Sequence, residues 1–354
     1  MLLLSICWFC YAGKLMLMVA IIGSSSMSQR LLQHIQGYCD DPQLFKQQKV
    51  QSLWSGYGEV ARYYSPRRGN TVIVKQVNPR PSTPHPRGWH SSTGHQRKLT
   101  SYVMEGNFYH SFARQCNRQC KVPDLIAFCG GEDAVNNGQQ ILVMEDLHSS
   151  GFTQTPDYGG LVEIKLGIRW LAHFHGRFLA IDAPTLWPIG SYWHLGTRQD
   201  EYARMPDGAL KSAAPRLDQL LNRATHQTLI HGDAKLANFC FTPPRDDIAA
   251  VDFQYVGKGV GVKDLMYFLG SCLNETQLFT HYETLLTLYF SHLRRAVNTY
   301  QVDYPFVELE QQWRALCPVA WADFQRFLQG WSPGHNKINL FMAQQTRQAL
   351  ATFC

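Results

Sequence analysis

The stretch Leu229-Ile230-His231-Gly232-Asp233-Ala234-Lys235-Leu236-Ala237-Asn238, followed by Ala249-Ala250-Val251-Asp252-Phe253-Gln254, decides how this chain is read. It sets an Asp, an Asn five residues on, and a second Asp at the end of a short apolar run. Phosphoryl transfer asks for such a set: one carboxylate to orient an attacking hydroxyl, and two oxygen ligands for magnesium at the nucleotide phosphates. An isolated His-Gly-Asp triplet has little weight, because Gly and Asp are common turn residues. The three positions at this spacing say much more.

The combination H-x-D-x-x-x-x-N, then an apolar run ending in D-F-x, resembles the catalytic and metal-binding loops of the protein-kinase-like fold. The other parts of that fold come in a fixed order. A glycine turn should come first, and Leu53-Trp54-Ser55-Gly56-Tyr57-Gly58-Glu59-Val60-Ala61 supplies one, with Ala61 where the fuller pattern has a third glycine. Gly56 and Gly58 would let the backbone approach phosphates closely. Taken alone they fit an ordinary hairpin; their place upstream of the next element favours the phosphate reading. That element is Thr71-Val72-Ile73-Val74-Lys75, a β-branched strand closing on a lysine. A strand-end lysine is usually solvated, but the resemblance implies that Lys75 reaches the α- and β-phosphates, held by a helix glutamate. Glu105 is the only acidic residue between Glu59 and Asp124, so the choice is nearly forced. Tyr102, Phe108, Tyr109 and Phe112 recur at helical spacing around it. Gly106 weakens that helix by about 1 kcal/mol relative to Ala.

Gln140-Ile141-Leu142-Val143-Met144-Glu145-Asp146-Leu147 reads as a buried strand with an acidic end. The same residues suit an unremarkable core strand; the order of elements makes it the hinge, with Glu145 and Leu147 beside the adenine edge. Leu161, Ile164, Leu166, Ile168, Leu171, Phe174 and Phe178 form the apolar stripe of a helix. His173 and His175 on that helix are taken as packing or capping residues.

Within the fold, the chain resembles the aminoglycoside phosphotransferase/choline kinase superfamily, and inside it the ecdysteroid-kinase-like group. The resemblance is carried by His231-Gly232-Asp233, Asn238, Asp252-Phe253-Gln254, Val143-Met144-Glu145-Asp146-Leu147 and Asp264-Leu265-Met266-Tyr267-Phe268-Leu269, and runs from about Leu53 to about Tyr289. It implies an α+β, bilobal protein-kinase-like fold, with a small β-rich N-lobe over 27–147 and a larger, mainly helical C-lobe over 148–354. ATP and Mg2+ are the cofactors it implies, and a small-molecule hydroxyl the acceptor. Asp233 would orient or accept the acceptor proton. Asn238 and Asp252 would hold magnesium, while Lys75 and Lys235 offset phosphate charge. Lys235 departs from the small-molecule kinases, which often carry an aromatic or His there, and is closer to the protein-kinase loop. His231 is expected to support the loop through hydrogen bonds. Asp264 opens an apolar helix; it fits an N-cap, and the resemblance adds a role bracing the catalytic loop.

Only eleven residues, Phe253 to Lys263, separate Asp252 from Asp264, and they contain no Ser, no Thr and no APE-like anchor. A protein kinase needs a longer activation segment. A small-molecule kinase is therefore favoured over a protein kinase. A catalytically silent nucleotide-binding scaffold is the other alternative, disfavoured because every position needed for chemistry is filled.

Composition agrees with a two-lobed globular chain: 354 residues, 45% hydrophobic and 17% charged. Ten cysteines without a regular framework suggest reduced thiols and a cytoplasmic setting. Helix-spaced Cys116 and Cys120 make at best a weak metal pair. A net charge of +6 is modest. Part of it falls in the Pro-rich basic segment around Asn78-Pro79-Arg80-Pro81, read as a surface loop. Without interleaved aromatic and basic residues, nucleic acid is not an expected partner.

Residues 1–23 are strongly apolar, with Lys14 the only charge. Three readings stand: a mis-assigned start ahead of Met27, a membrane anchor, and a cleaved signal, which lacks an early positive region. In each the kinase pattern begins only near Leu53, so residues 1–26 are expected to be dispensable for folding, and membrane contact depends on the anchor. Near the C-terminus Trp313, Trp321, Phe324, Phe327 and Trp331 recur with Asp323. Helical spacing makes most of them core; an aromatic box for a quaternary amine is the competing reading. Trp193 and Tyr192 are further acceptor-side candidates.

Overall fold

A computed structural model describes residues 29, 31–53, 56–79, 92–130, 139–156 and 158–354. The apolar leader, Trp54 and Ser55, and residues 80–91 of the basic Pro-rich segment lie outside the described residues. Among the described residues no helix is long and apolar enough to cross a membrane.

A helix at 31–39 (α1) leads into β1 (Phe45–Ser52), β2 (Gly58–Ser65) and β3 (Asn70–Val77). Helix α2 (Ser92–Ser111) follows, then β4 (Leu125–Cys129) and β5 (Gln140–Glu145). The five strands form one antiparallel sheet in the order β1-β2-β3-β5-β4. Strand periodicity divides β3 between two faces. Val72 and Val74 pack with Ile35, Cys39 and Leu44 into a small core under α1. Ile73 and Lys75 face the other way, into the cleft between the lobes. Register sets Lys75 opposite Val60 on β2 and Leu142 on β5, so the lysine projects from the sheet interior rather than from an edge.

Helix α2 forms despite Gly106. A Cβ at that position would come within 2.6 Å of the Phe128 ring, so the glycine admits the packing of β4 against the helix. The opposite face of α2 places Phe108 and Tyr109, with Phe112 just beyond its end, in the large core of the C-lobe.

That core is built on α3 (Leu161–Arg177), α4 (Gln199–Arg204), α5 (Ala209–Asn222), α6 (Val262–Cys272), α7 (Glu275–Thr299), α8 (Phe306–Trp331) and α9 (Leu340–Phe353). Two short antiparallel pairs cross its upper surface, β6 (Thr228–Ile230) with β9 (Gly257–Gly259) and β7 (Phe239–Phe241) with β8 (Ile248–Ala250). The arrangement is the expected α+β, two-lobed one. Trp313 and Trp321 are fully buried in α8, as the core reading of the C-terminal aromatics requires, and Trp313 Nε1 donates to the His226 carbonyl at 2.9 Å.

Asp323 belongs to no open aromatic box. It is buried behind the cleft wall, where Arg326 Nη2 (2.8 Å) and Trp193 Nε1 (3.1 Å) donate to it and Lys263 Nζ lies 3.7 Å away. Burial, the largest influence, acts to raise this carboxyl, but Arg326, Lys263 and His194 hold it below its usual range. A buried carboxylate surrounded by donors in this way links α8 to the start of α6 and is not available to an acceptor.

Candidate active site

The lobes enclose a cleft of about 1440 Å³. Of the residues singled out from the sequence, Lys75, Glu105, Glu145, Leu147, Asp233, Lys235, Asn238 and Asp252 line it. Gly56 and Gly58 do not; they sit in the β1–β2 turn, both at positive φ (+71° and +136°). A Cβ on Gly58 would lie 2.0 Å from the Gln76 carbonyl oxygen, so close passage of β3 is enough to demand this glycine. Leu53, Tyr57 and Val60 of that hairpin supply the lining instead.

Lys75 Nζ donates to Glu105 Oε2 at 2.5 Å, and both side chains are buried. Burial pushes the Glu105 carboxyl upward, against the opposing pull of Lys75. At the hinge, the Glu145 carboxylate turns aside to Lys121 (2.6 Å) and the Asp124 N–H (3.0 Å). Asp146 accepts from Arg62 and from Thr71 Oγ1, which fastens the strand end to β2 and β3.

The loop after β6 is held from beneath. Asp264 is fully buried, and its carboxylate accepts from the His231 N–H (2.5 Å) and the Gly232 N–H (2.9 Å), with His175 Nε2 at 3.2 Å. The capping expectation for Asp264 is corrected here. Gly261 is the N-cap of α6 and Asp264 stands in its first turn with the carboxylate aimed at the loop. His231 accepts the Asp233 N–H at Nδ1 (3.3 Å), so Nε2 is assigned the proton it shares with the Val251 carbonyl (2.9 Å). His175, read from the sequence as a packing or capping residue, joins Asp264 to the Tyr289 hydroxyl (2.8 Å at Nδ1).

Asp233 Oδ2 accepts from Lys235 Nζ (2.9 Å) and Asn238 Nδ2 (3.2 Å), and Oδ1 from the Tyr267 hydroxyl (3.1 Å). Burial pushes its carboxyl above the usual range; the Asp252 charge adds to the rise, while Lys235 and His231 oppose it. Tyr267 was not singled out from the sequence. Its position three residues beyond Asp264, one helical turn on, was the available signal.

Asp252 occupies the left-handed region at φ +69°, uncommon for a residue with a side chain. Gln254 Nε2 donates to its Oδ1 at 2.7 Å, and the same amide's oxygen accepts from Lys98 Nζ (2.7 Å) and Ser101 Oγ (3.2 Å) on α2. Burial is the largest influence on Asp252 and acts to raise it, yet Lys75, Lys98, Lys235 and His231 together hold it below the usual range.

The donor set suits a hard, oxygen-seeking cation. The Asn238 amide nitrogen is committed to the Asp233 carbonyl (2.8 Å) and carboxylate, which leaves its Oδ1, beside Asp252, as the atom that could coordinate such a cation. Among the described residues no cluster of three or more His, Cys, Asp or Glu could hold a metal, which leaves the Cys116–Cys120 idea unsupported.

Fold and cleft together define a two-lobed, kinase-like protein. A model of the ecdysteroid kinase-like family matches residues 196–302, the segment containing Asp233, Asn238, Asp252 and Asp264, in line with the resemblance drawn from the motif. No curated protein matches the chain. Among solved structures it is similar to a microcompartment-associated aminopropanol kinase (14% identity, 92% of this chain and 94% of that one covered, TM-score 0.48). It is also similar to a choline/ethanolamine kinase family protein from Mesorhizobium loti (12%, 86% and 87%, TM-score 0.38). A third likeness is to an ethanolamine kinase of Plasmodium vivax (12%, 88% and 84%, TM-score 0.40).

Proposed function

We propose that this chain is an ATP- and magnesium-dependent phosphotransferase that moves the γ-phosphate to a hydroxyl of a small molecule. The observation that carries the proposal is the division of labour between two carboxylates in one cleft, Asp233 buried and Asp252 half-buried. Asp233 is made more basic than an ordinary carboxylate, while Asp252 is kept ionised by surrounding cations. Paired groups driven apart in this way take different roles. Asp233 would orient the acceptor hydroxyl and take its proton. Asn238 and Asp252 would hold magnesium, which offsets charge on the phosphate oxygens when bound. Lys75, fixed by Glu105, would meet the α- and β-phosphates, and Lys235 the transferred group. The Glu145–Leu147 connector lines the part of the cleft suited to the nucleotide base. Openness to small acceptors follows from the eleven-residue Phe253–Lys263 segment, which is too short to mould a polypeptide site.

The test is ATP turnover with magnesium against a broad panel of hydroxyl metabolites, read as phosphorylated acceptor. Transfer to at least one acceptor is expected. Magnesium-dependent nucleotide binding without any transfer would make the chain a silent scaffold. In a parallel titration, Asp252→Ala is expected to abolish the magnesium dependence of ATP binding, since Asn238 alone is a neutral, weak ligand. Unchanged Mg-ATP affinity would mean the metal is held elsewhere.

The pH profile gives a second check. Asp233 must be ionised to accept a proton, and its pKa is raised, so activity should fall with acidification on a limb above the range of a free carboxylate. Lys235 opposes that rise, so Lys235→Met should move the limb to still higher pH. A limb that stays in place or moves toward acid would sink the assignment to Asp233.

A further inference from the structure

The acceptor end of the cleft carries its own cation. Lys337 lies in the segment 332–339 between α8 and α9 and lines the cleft beside Tyr267 and Phe324. Its ammonium stands 4.9 Å from the centroid of the Tyr267 ring and 5.8 Å from that of Phe324. Tyr267 donates to Asp233, so a single side chain separates this ammonium from the carboxylate proposed to take the acceptor proton.

The segment that holds Lys337 is itself tied down. The Lys337 N–H donates to His335 Nδ1 (3.2 Å), the Ile338 N–H to the His335 carbonyl (2.9 Å), and Glu275 accepts the Leu340 N–H (2.7 Å). His335 also packs on Trp331, with ring centroids 5.9 Å apart. The ammonium is thus presented from a fastened turn rather than from a free tail.

Several other cleft cations have carboxylate partners, Lys75 with Glu105, Lys235 with Asp233 and Arg198 with Glu201, while Arg97 and Lys98 donate to the Thr197 carbonyl and the Gln254 amide oxygen. Among the described residues Lys337 makes no direct ion pair; aromatic faces lie against its ammonium, and the Asp233 charge acts on it only from beyond Tyr267. Asp200 also lines the cleft, but is exposed. Burial brings the Lys337 ammonium down to about 8, which leaves it mostly protonated at neutral pH. A recessed cation with no direct ion-pair partner has charge left for an incoming anion.

The same placement works against a quaternary amine. Cation–π recognition needs a vacant aromatic face, and Lys337 already stands over one face of Tyr267 and of Phe324. An ammonium ligand would meet like charge where it needs an electron-rich ring. At Tyr267 and Phe324 this placement weighs against the aromatic-box reading.

We propose that Lys337 sets the charge of the acceptor: the cleft takes a hydroxyl compound whose second polar group is an anion such as a carboxylate, and turns away amino and quaternary ammonium alcohols. The proposal rests on the phosphotransferase reading for where the acceptor hydroxyl sits. Its test is binding alone, so the two fail separately. Calorimetric titrations would compare 4-(hydroxymethyl)benzoate with the matched 4-(hydroxymethyl)phenyl-trimethylammonium ion, both with magnesium and a non-hydrolysable ATP analogue present. The wild-type chain is expected to bind the benzoate about 10-fold or more tightly than the ammonium ion, a difference well within such a measurement. Lys337→Gln should remove the preference and Lys337→Glu should reverse it. Equal or tighter binding of the ammonium ion by wild type would overturn the proposal. So would the wild-type preference persisting in a folded Lys337→Glu chain, or failure of both probes to bind. If the variants do not fold, the wild-type comparison decides alone. Absence of phosphate transfer to a bound benzoate would count against the phosphotransferase reading and leave this one standing.

Discussion

Turnover of the Asp233→Asn chain is expected to fall by about 100-fold or more, with nucleotide binding retained, the usual scale for a lost general base. The substitution is nearly isosteric. The amide oxygen can still accept from Tyr267 or Lys235, each of which now reaches Asp233 at about hydrogen-bond distance (3.1 and 2.9 Å). What disappears is the basicity that burial and Asp252 confer on the carboxylate. Steady-state rates beside nucleotide titrations on the same preparation would separate chemistry from binding. A near-normal kcat in a folded Asp233→Asn chain would remove Asp233 from the reaction.

Asp264→Ala is expected to be the most damaging single change to the fold around the site. It leaves the buried N–H groups of His231 and Gly232 without acceptors, at about 1–3 kcal/mol each, and strips His175 of a partner. A total of about 3–5 kcal/mol matches the loss of one member of a buried charged network. Thermal melts should show a midpoint about 10 °C lower, at the few degrees per kcal/mol usual for chains of more than 150 residues. Asp264→Asn keeps one acceptor oxygen and should fall between the two. A melt within about 2 °C of wild type would mean the loop does not depend on this carboxylate.

The elements that the sequence made legible are those whose signal is local. H-x-D-x-x-x-x-N fixes a loop by its own spacing, and the β-branched run ending at Lys75 announces both strand and side-chain direction. Glu105 could be chosen by elimination, because no other acidic residue competed over that stretch. Gly58 stays ambiguous in sequence, because a glycine needed for close strand passage looks the same as one needed for phosphates. Asp264 carried two compatible roles, and only the packing of α6 beneath the loop separates them. Gln254 and Lys98 are 156 residues apart, and neither residue type suggests the other. Lys337 was invisible for a similar reason. Its meaning comes from the rings of Tyr267 and Phe324, brought to it by two different helices.

Helix α2 is counted with the sheet by chain order, yet its fastenings face mostly the other way. Lys98 and Ser101 grip Gln254, Arg97 reaches the Thr197 carbonyl (2.5 Å), Asn107 the Thr185 carbonyl (2.8 Å), and Phe108 stacks on Phe253 at 4.0 Å. Mechanically the helix is a post standing on the lower lobe. An opening of the cleft that left α2 with the lower lobe would slide the sheet past it and break the Lys75–Glu105 contact that joins the two.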